Sequence, residues 1–99
     1  MEIEGLKAIL IGGASGFARA TAERIAAGGG KVAILDREQS AGAEVAAELS
    51  GSWHPTDVLD FDGIELVINE AVDALGGLDL AVNTAGGDMA GRTLGRNGP

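Results

Sequence analysis

Ile11-Gly12-Gly13-Ala14-Ser15-Gly16-Phe17-Ala18 is the stretch on which the reading of this chain turns. Before it runs LKAILI, residues 6–11, almost wholly apolar. Such a short run suits a strand buried on both faces, as in a parallel sheet. After it, Phe17, Thr21 and Ile25 recur at the four-residue spacing of a helix face. A turn between a strand and a helix needs small residues where the backbone reverses. The free amides at the helix start, aided by its dipole, then suit an anion such as a pyrophosphate. Gly12 fits the tight turn, Ser15 adds a hydroxyl donor, and Gly16 lets the helix begin close to the phosphates. The spacing departs from G-x-G-x-x-G, and the lysine followed by Ser/Thr of a phosphate-hydrolysing loop is absent. Nucleotide hydrolysis is therefore disfavoured. Taken alone, such a turn also serves a purely structural purpose.

Working outward, apolar runs and helical periods alternate. Gly28-Gly29-Gly30 stops the first helix, and a second apolar run over residues 32–35 ends in Asp36. Ala41, Val45 and Leu49 predict a second helix over residues 38–49, closed by Gly51. Residues 52–54 carry a weak strand signal. Asp60 suits the N-cap of a third helix with Ile64, Ile68, Ala71 and Leu75 on one face, ended by Gly76-Gly77. A fourth apolar run, residues 78–82, leads into Asn83-Thr84-Ala85-Gly86. The order β-α-β-α-β-α-β implies an α/β fold: a parallel sheet with helices on both faces. Right-handed crossovers favour strand order 3-2-1-4, one mononucleotide-binding half plus the first strand of the next. After Gly87 the pattern dissolves, so residues 88–99 are expected to be a loop.

Asp36 is the second informative residue. An acid at the end of the second strand, in register with a glycine turn, can accept hydrogen bonds from adenosine ribose hydroxyls. It would also repel a 2′-phosphate, which favours NAD over NADP. Arg37 beside it points the other way, since an arginine there accommodates such a phosphate. The alternative is that Asp36 only caps a helix or faces solvent.

Composition removes other classes of function. The chain has 99 residues, 45% of them hydrophobic, which suits one small globular domain. Cysteine is absent and His54 is the single histidine, so disulfides and thiolate metal sites are excluded and no zinc site is expected. Fifteen acids against seven scattered bases give a formal charge of −8. No basic face large enough for a nucleic-acid backbone is expected, and an acidic chain has little attraction to anionic lipid. No apolar run approaches a membrane span, and MEIEGLK carries acids where a signal peptide needs bases. A cytoplasmic location is the expectation. His54, between Trp53 and Pro55, reads as a packed or surface residue rather than a catalyst, and Trp53 as packing. Glu65, Glu70 and Asp73 read as a solvated helix face.

Four of these segments together resemble the short-chain dehydrogenase/reductase family. Its T-G-x-x-x-G-x-G turn is similar to IGGASGFA, residues 11–18. Its strand-end acid corresponds to Asp36, its adenine-contacting Asp-Val pair to Asp57-Val58, and its N-N-A-G motif to NTAG, residues 83–86. The resemblance spans essentially the whole chain, in the right order. The tail AGRTLGRNGP looks like the branch that includes type 2 3-hydroxyacyl-CoA dehydrogenases. The resemblance implies a partial Rossmann fold, with residues 1–87 as the NAD-binding half-domain and 88–99 as the start of a substrate and catalytic half. It implies NAD as cofactor. Gly12, Ser15, Gly16 and Phe17 would surround the pyrophosphate and nearby ribose, largely through backbone. Asp36 would take the adenosine ribose. Asp57 would contact adenine by its side chain and Val58 by its amide. Asn83, Ala85 and Gly86 would line the cofactor cleft, with Asn83 also bracing the sheet. Three positions depart from the pattern: Ile11 for a threonine, Ala18 for the third glycine, Thr84 for the second asparagine.

The resemblance further implies hydride transfer between NAD and a secondary alcohol or ketone, with 3-hydroxyacyl-CoA as one substrate class. The family's catalytic serine, Tyr-x-x-x-Lys pair and helix asparagine lie beyond its N-A-G motif, and this sequence contains no tyrosine. No catalytic residue is therefore expected among the 99, and the chain by itself is expected to be inactive. A longer parent would be an oxidoreductase and a homo-oligomer. A stand-alone dinucleotide-binding module without turnover is the alternative. A remnant whose exposed fourth strand pairs with a neighbour is a third reading.

Overall fold

The computed structural model describes residues 3–14, 16–57, 61–83 and 92–95. Its elements follow the alternation expected: β1 (Lys7–Ile11), α1 (Gly16–Ala27), β2 (Lys31–Asp36), α2 (Gly42–Glu48), β3 (Ser52–Pro55), α3 (Phe61–Leu75), β4 (Leu80–Asn83) and β5 (Arg92–Gly95). One sheet holds all five strands in the order β3-β2-β1-β4-β5. The first four are parallel and take the expected order 3-2-1-4.

Burial explains why β1 and β2 read as unbroken apolar runs. Along both strands successive side chains enter opposite apolar layers. Ala8, Leu10, Val32 and Ile34 join Ala18, Ala22 and Ile25 of α1 and Val45 and Ala46 of α2. Ile9, Ile11, Ala33 and Leu35 join Ala71 and Leu75 of α3, flanked by Ile64, Ile68 and Val72. The central sheet is thus sandwiched, and α3 packs through the face its sequence period marks out.

Three expectations need correction. The Phe17, Thr21 and Ile25 spacing marks a face offset from the one that packs: Ala18, Ala22 and Ile25 are buried while Phe17 is exposed, because small side chains let α1 lie close on the sheet. The second helix starts at Gly42 rather than at residue 38. Ser40 explains this: its hydroxyl donates to the Arg37 carbonyl at 2.6 Å and accepts the Gly42 amide at 3.1 Å. Residues 37–40 therefore close a turn of their own before the helix can begin. The tail was expected to be a loop, yet Arg92–Gly95 forms β5, antiparallel to β4 with Val82 opposite Thr93 and Ala81 opposite Leu94. The unpaired edge of β4 supplies a template that four residues without strong periodicity can fill. In this fold β5, not β4, is the outermost strand on that side.

Candidate functional site: a glycine turn and an acid at the strand ends

The carboxyl ends of the parallel strands lie side by side. Ile11 is opposite both Leu35 and Asn83, and Asp36 is opposite Pro55. The glycine turn after β1, Asp36 at the end of β2, Asp57 after β3 and Asn83 at the end of β4 therefore share one rim. The strand order reverses between β1 and β4, since β2 and β3 lie on one side of β1 and β4 on the other. At such a switch point the loops diverge and leave a crevice outside the strand ends, where α/β sheets bind ligands.

The turn is built against β2. Gly12 has φ +83°, a left-handed conformation that a side chain strains, and its amide donates to the Leu35 carbonyl at 2.7 Å. A methyl group on Gly13 would stand 2.9 Å from the Leu10 carbonyl oxygen and 3.2 Å from Ile34, so the turn passes too close to β1 for any side chain. The Ala14 amide donates to Asp36 Oδ2 at 3.0 Å. At Gly16 the situation is opposite: nothing lies within 4 Å of where a side chain would start. The space above the helix start is open, and the first amides of α1 have no acceptor within their own helix. Phe17, next along, is 61% exposed.

Asp36 is held from three directions. Besides Ala14, the Arg37 amide donates to its Oδ1 at 2.7 Å, and its carbonyl accepts the Thr56 amide at 2.7 Å. A carboxylate offers about four lone-pair positions, so each oxygen keeps acceptor capacity for a hydroxyl. A cleft of about 400 Å³ adjoins it, lined by Arg37, Glu38, Gln39, Pro55, Thr56 and Asp57. Thr56 is buried and donates its hydroxyl to the His54 carbonyl at 2.8 Å. Sequence reasoning missed Thr56 and Ala14. Both sit next to residues it named, but their part is played by backbone amides, which leave no mark in side-chain identity.

His54 faces the α3 side of edge strand β3, where its Nε2 lies 2.8 Å from Ser52 Oγ. Burial holds its pKa below the ordinary value of 6.5, against the opposing pull of Glu70. His54 precedes the lining residues Pro55 and Thr56 and is not itself part of the cleft wall. Ser15, Val58, Ala85 and Gly86 lie outside the described residues. Among the described residues no group of His, Asp and Glu is placed to hold a metal ion, and no helix is long and apolar enough to cross a membrane.

The short chain dehydrogenase family matches over residues 7–96. The chain belongs to the short-chain dehydrogenase family. It is 40% identical over 97 residues to the 3-hydroxyacyl-CoA dehydrogenase type-2 of Drosophila melanogaster, covering 96% of this chain and 38% of that protein. Two solved structures superpose with a TM-score of 0.73 at 30% identity. One is a 3-ketoacyl-(acyl-carrier-protein) reductase from Brucella melitensis complexed with NADH, matched over 80% of this chain and 33% of that one. The other is a short chain dehydrogenase/reductase from Burkholderia phymatum in complex with NAD, matched over 82% and 31%. The chain thus spans between 31% and 38% of the length of these relatives.

As a member of the short-chain dehydrogenase family, the chain carries its departures from the family motifs in readable places. Ile11 puts its side chain into the apolar cluster beneath α3, where the family's threonine would carry a hydroxyl. Ala18 is fully buried between α1 and the sheet, so its methyl fills core rather than the crevice. Thr84 lies outside the described residues.

Proposed function

We propose that residues 1–87 bind NAD across the rim of the strand ends, as the cofactor half of an oxidoreductase acting on a secondary alcohol or ketone. The observation that carries this reading is the meeting of three features at the switch point: the tight glycine turn, the Asp36 carboxylate and the cleft from Arg37 to Asp57. The residues present fit a dinucleotide. Gly12, Gly16 and Phe17, with Ser15, would hold the pyrophosphate through amides and a hydroxyl. Asp36 has acceptor capacity left for ribose hydroxyls. Asp57 and Val58 would hold adenine in the adjoining cleft, and Asn83, Ala85 and Gly86 would line the way to the reacting end. When bound, NAD supplies the hydride acceptor.

The likeness to the fly enzyme supports a 3-hydroxyacyl thioester as the substrate class of the whole protein. These 99 residues contain no tyrosine, so they bring no phenol to act as acid or base toward it. The chain alone is expected to bind without turnover.

Calorimetric titration with NAD and with NADP tests the reading. NAD is expected to bind at least about tenfold more tightly than NADP, because a 2′-phosphate would sit against the Asp36 carboxylate. A folded chain that binds neither would overturn it. Adding a 3-hydroxyacyl thioester to the NAD complex is expected to produce no NADH.

A further inference from the structure

The bonds that shape the glycine turn change character along its length. At Gly12 the tie is backbone to backbone, onto the Leu35 carbonyl, and the Gly13 amide reaches the same oxygen at a long 3.4 Å. At Ala14 the acceptor is a side chain, Asp36 Oδ2, 3.0 Å away. The Ala14 methyl is itself buried, so this residue is fixed at both ends. Asp36 is braced in turn by the Arg37 amide on Oδ1 and by the Thr56 amide on its carbonyl. A run of contacts therefore leads from Thr56, in the wall of the cleft, through Asp36 to Ala14, two residues before α1 begins.

We propose that Asp36 is a positioning residue for the glycine turn: its carboxylate latches the Ala14 amide and so holds the start of α1 in the shape that receives an anion. This role is separate from any hydrogen bond to a ribose, and its consequence for ligands rests on the reading of the turn as a pyrophosphate cradle. A hydrogen bond to an ionised acceptor is about twice as strong as one between neutral groups, which suits a latch at a partly exposed site. Because the same carboxylate would take the ribose, the shape of the phosphate cradle and the occupation of the ribose position become coupled through one side chain. An acid at this position then does more than choose between NAD and NADP.

The test compares Asp36→Asn, which keeps an acceptor oxygen, with Asp36→Ala, which removes it. Amide hydrogen exchange is followed by NMR on the chain without added nucleotide. In Asp36→Ala the Ala14 amide is expected to exchange about tenfold faster than in the unaltered chain, with the Leu10 and Ile34 amides still protected. Asp36→Asn is expected to fall between. Exchange at Ala14 within about twofold of the unaltered chain in Asp36→Ala would overturn the latch. If Asp36→Ala does not fold, the unaltered chain decides: a scalar coupling across the hydrogen bond, from the Ala14 nitrogen to the Asp36 carboxylate carbon, is expected, and its absence overturns the proposal. Inorganic pyrophosphate supplies the functional arm. Both variants lack the charge, so the comparison is free of direct charge repulsion, and Asp36→Asn is expected to bind pyrophosphate more tightly than Asp36→Ala by about threefold or more. Equal binding by the two variants would overturn the positioning role. Failure of the unaltered chain to bind NAD or pyrophosphate would discard the cofactor reading instead, and the exchange data would still decide the latch.

Discussion

Gly12 and His54 show two ways in which one residue answers to its surroundings. The positive φ of Gly12 follows from its place between β1 and a turn that must fold back onto Leu35. An alanine there is expected to cost about 1–2 kcal/mol, read as a lower urea midpoint with an unchanged slope. His54 answers to burial against α3. Its folded pKa lies below 6.5, so as pH falls through 6.5 the unfolded chain takes up a proton before the folded one does. Stability is therefore fully present above that pH, declines as pH falls toward the folded value, and levels off below it. Thermal melts between neutral and mildly acid pH are expected to show this decline, and His54→Gln is expected to flatten it. The glycine turn and Asp36 were legible as candidate residues from the presence or absence of a side chain at a strand end, and Asp57 only through the family resemblance. Ala14 and Thr56 were not, because what they contribute is an amide any residue possesses.

At the scale of elements, all three helices end alike. In α1 the Gly30 amide returns to the Ile25 carbonyl and Gly29 to Ala26; in α3, Gly77 returns to Val72 and Gly76 to Asp73. In α2, Gly51 returns to Ala46 and Ser50 to Ala47. This is the Schellman pattern, whose pivot residue takes a left-handed conformation. Gly29 and Gly76 fill that pivot in α1 and α3, whereas α2 uses Ser50 at φ +56°. Ser50→Gly is therefore expected to stabilise the chain by about 1 kcal/mol, a rise in melting temperature of several degrees for a domain this small. The glycine clusters made the helix ends readable in the sequence. The start of α2 was less so, because Ala41 and Gly42 fit either a helix or the turn that Ser40 closes.

The whole molecule is a sheet whose two sides are covered unequally, α1 and α2 on one and α3 on the other. Its two boundaries also differ. On one side β3 is the outer strand, half-buried and short, which is why its sequence signal is weak. On the other, β5 shields the backbone of β4. In an antiparallel pair alternate amides point to the partner, so one of the adjacent residues Thr93 and Leu94 donates to β4. Replacing both by proline is expected to strip β5 from the sheet and expose β4 as a template for self-pairing. Sedimentation is expected to show a shift to larger species; an unchanged profile would mean that β5 does not protect this edge.

By itself the sequence determined the alternation of strands and helices, the apolar layers of β1 and β2, the buried face of α3, and which residues stand on the rim of the strand ends. Each of these is written in periodicity or in the presence or absence of a side chain: LKAILI for a strand covered twice, Ala71 and Leu75 for the face of α3, Gly12 and Asp36 for the crevice. Only the tertiary structure decided that residues 92–95 extend the sheet, that Trp53 packs over the bare backbone of Gly42, and that the Asp36 carboxylate reaches back to Ala14. Those outcomes depend on which backbone edges and amides are left over once the strands have assembled. Such leftovers are created by folding, and no local pattern of residues encodes them.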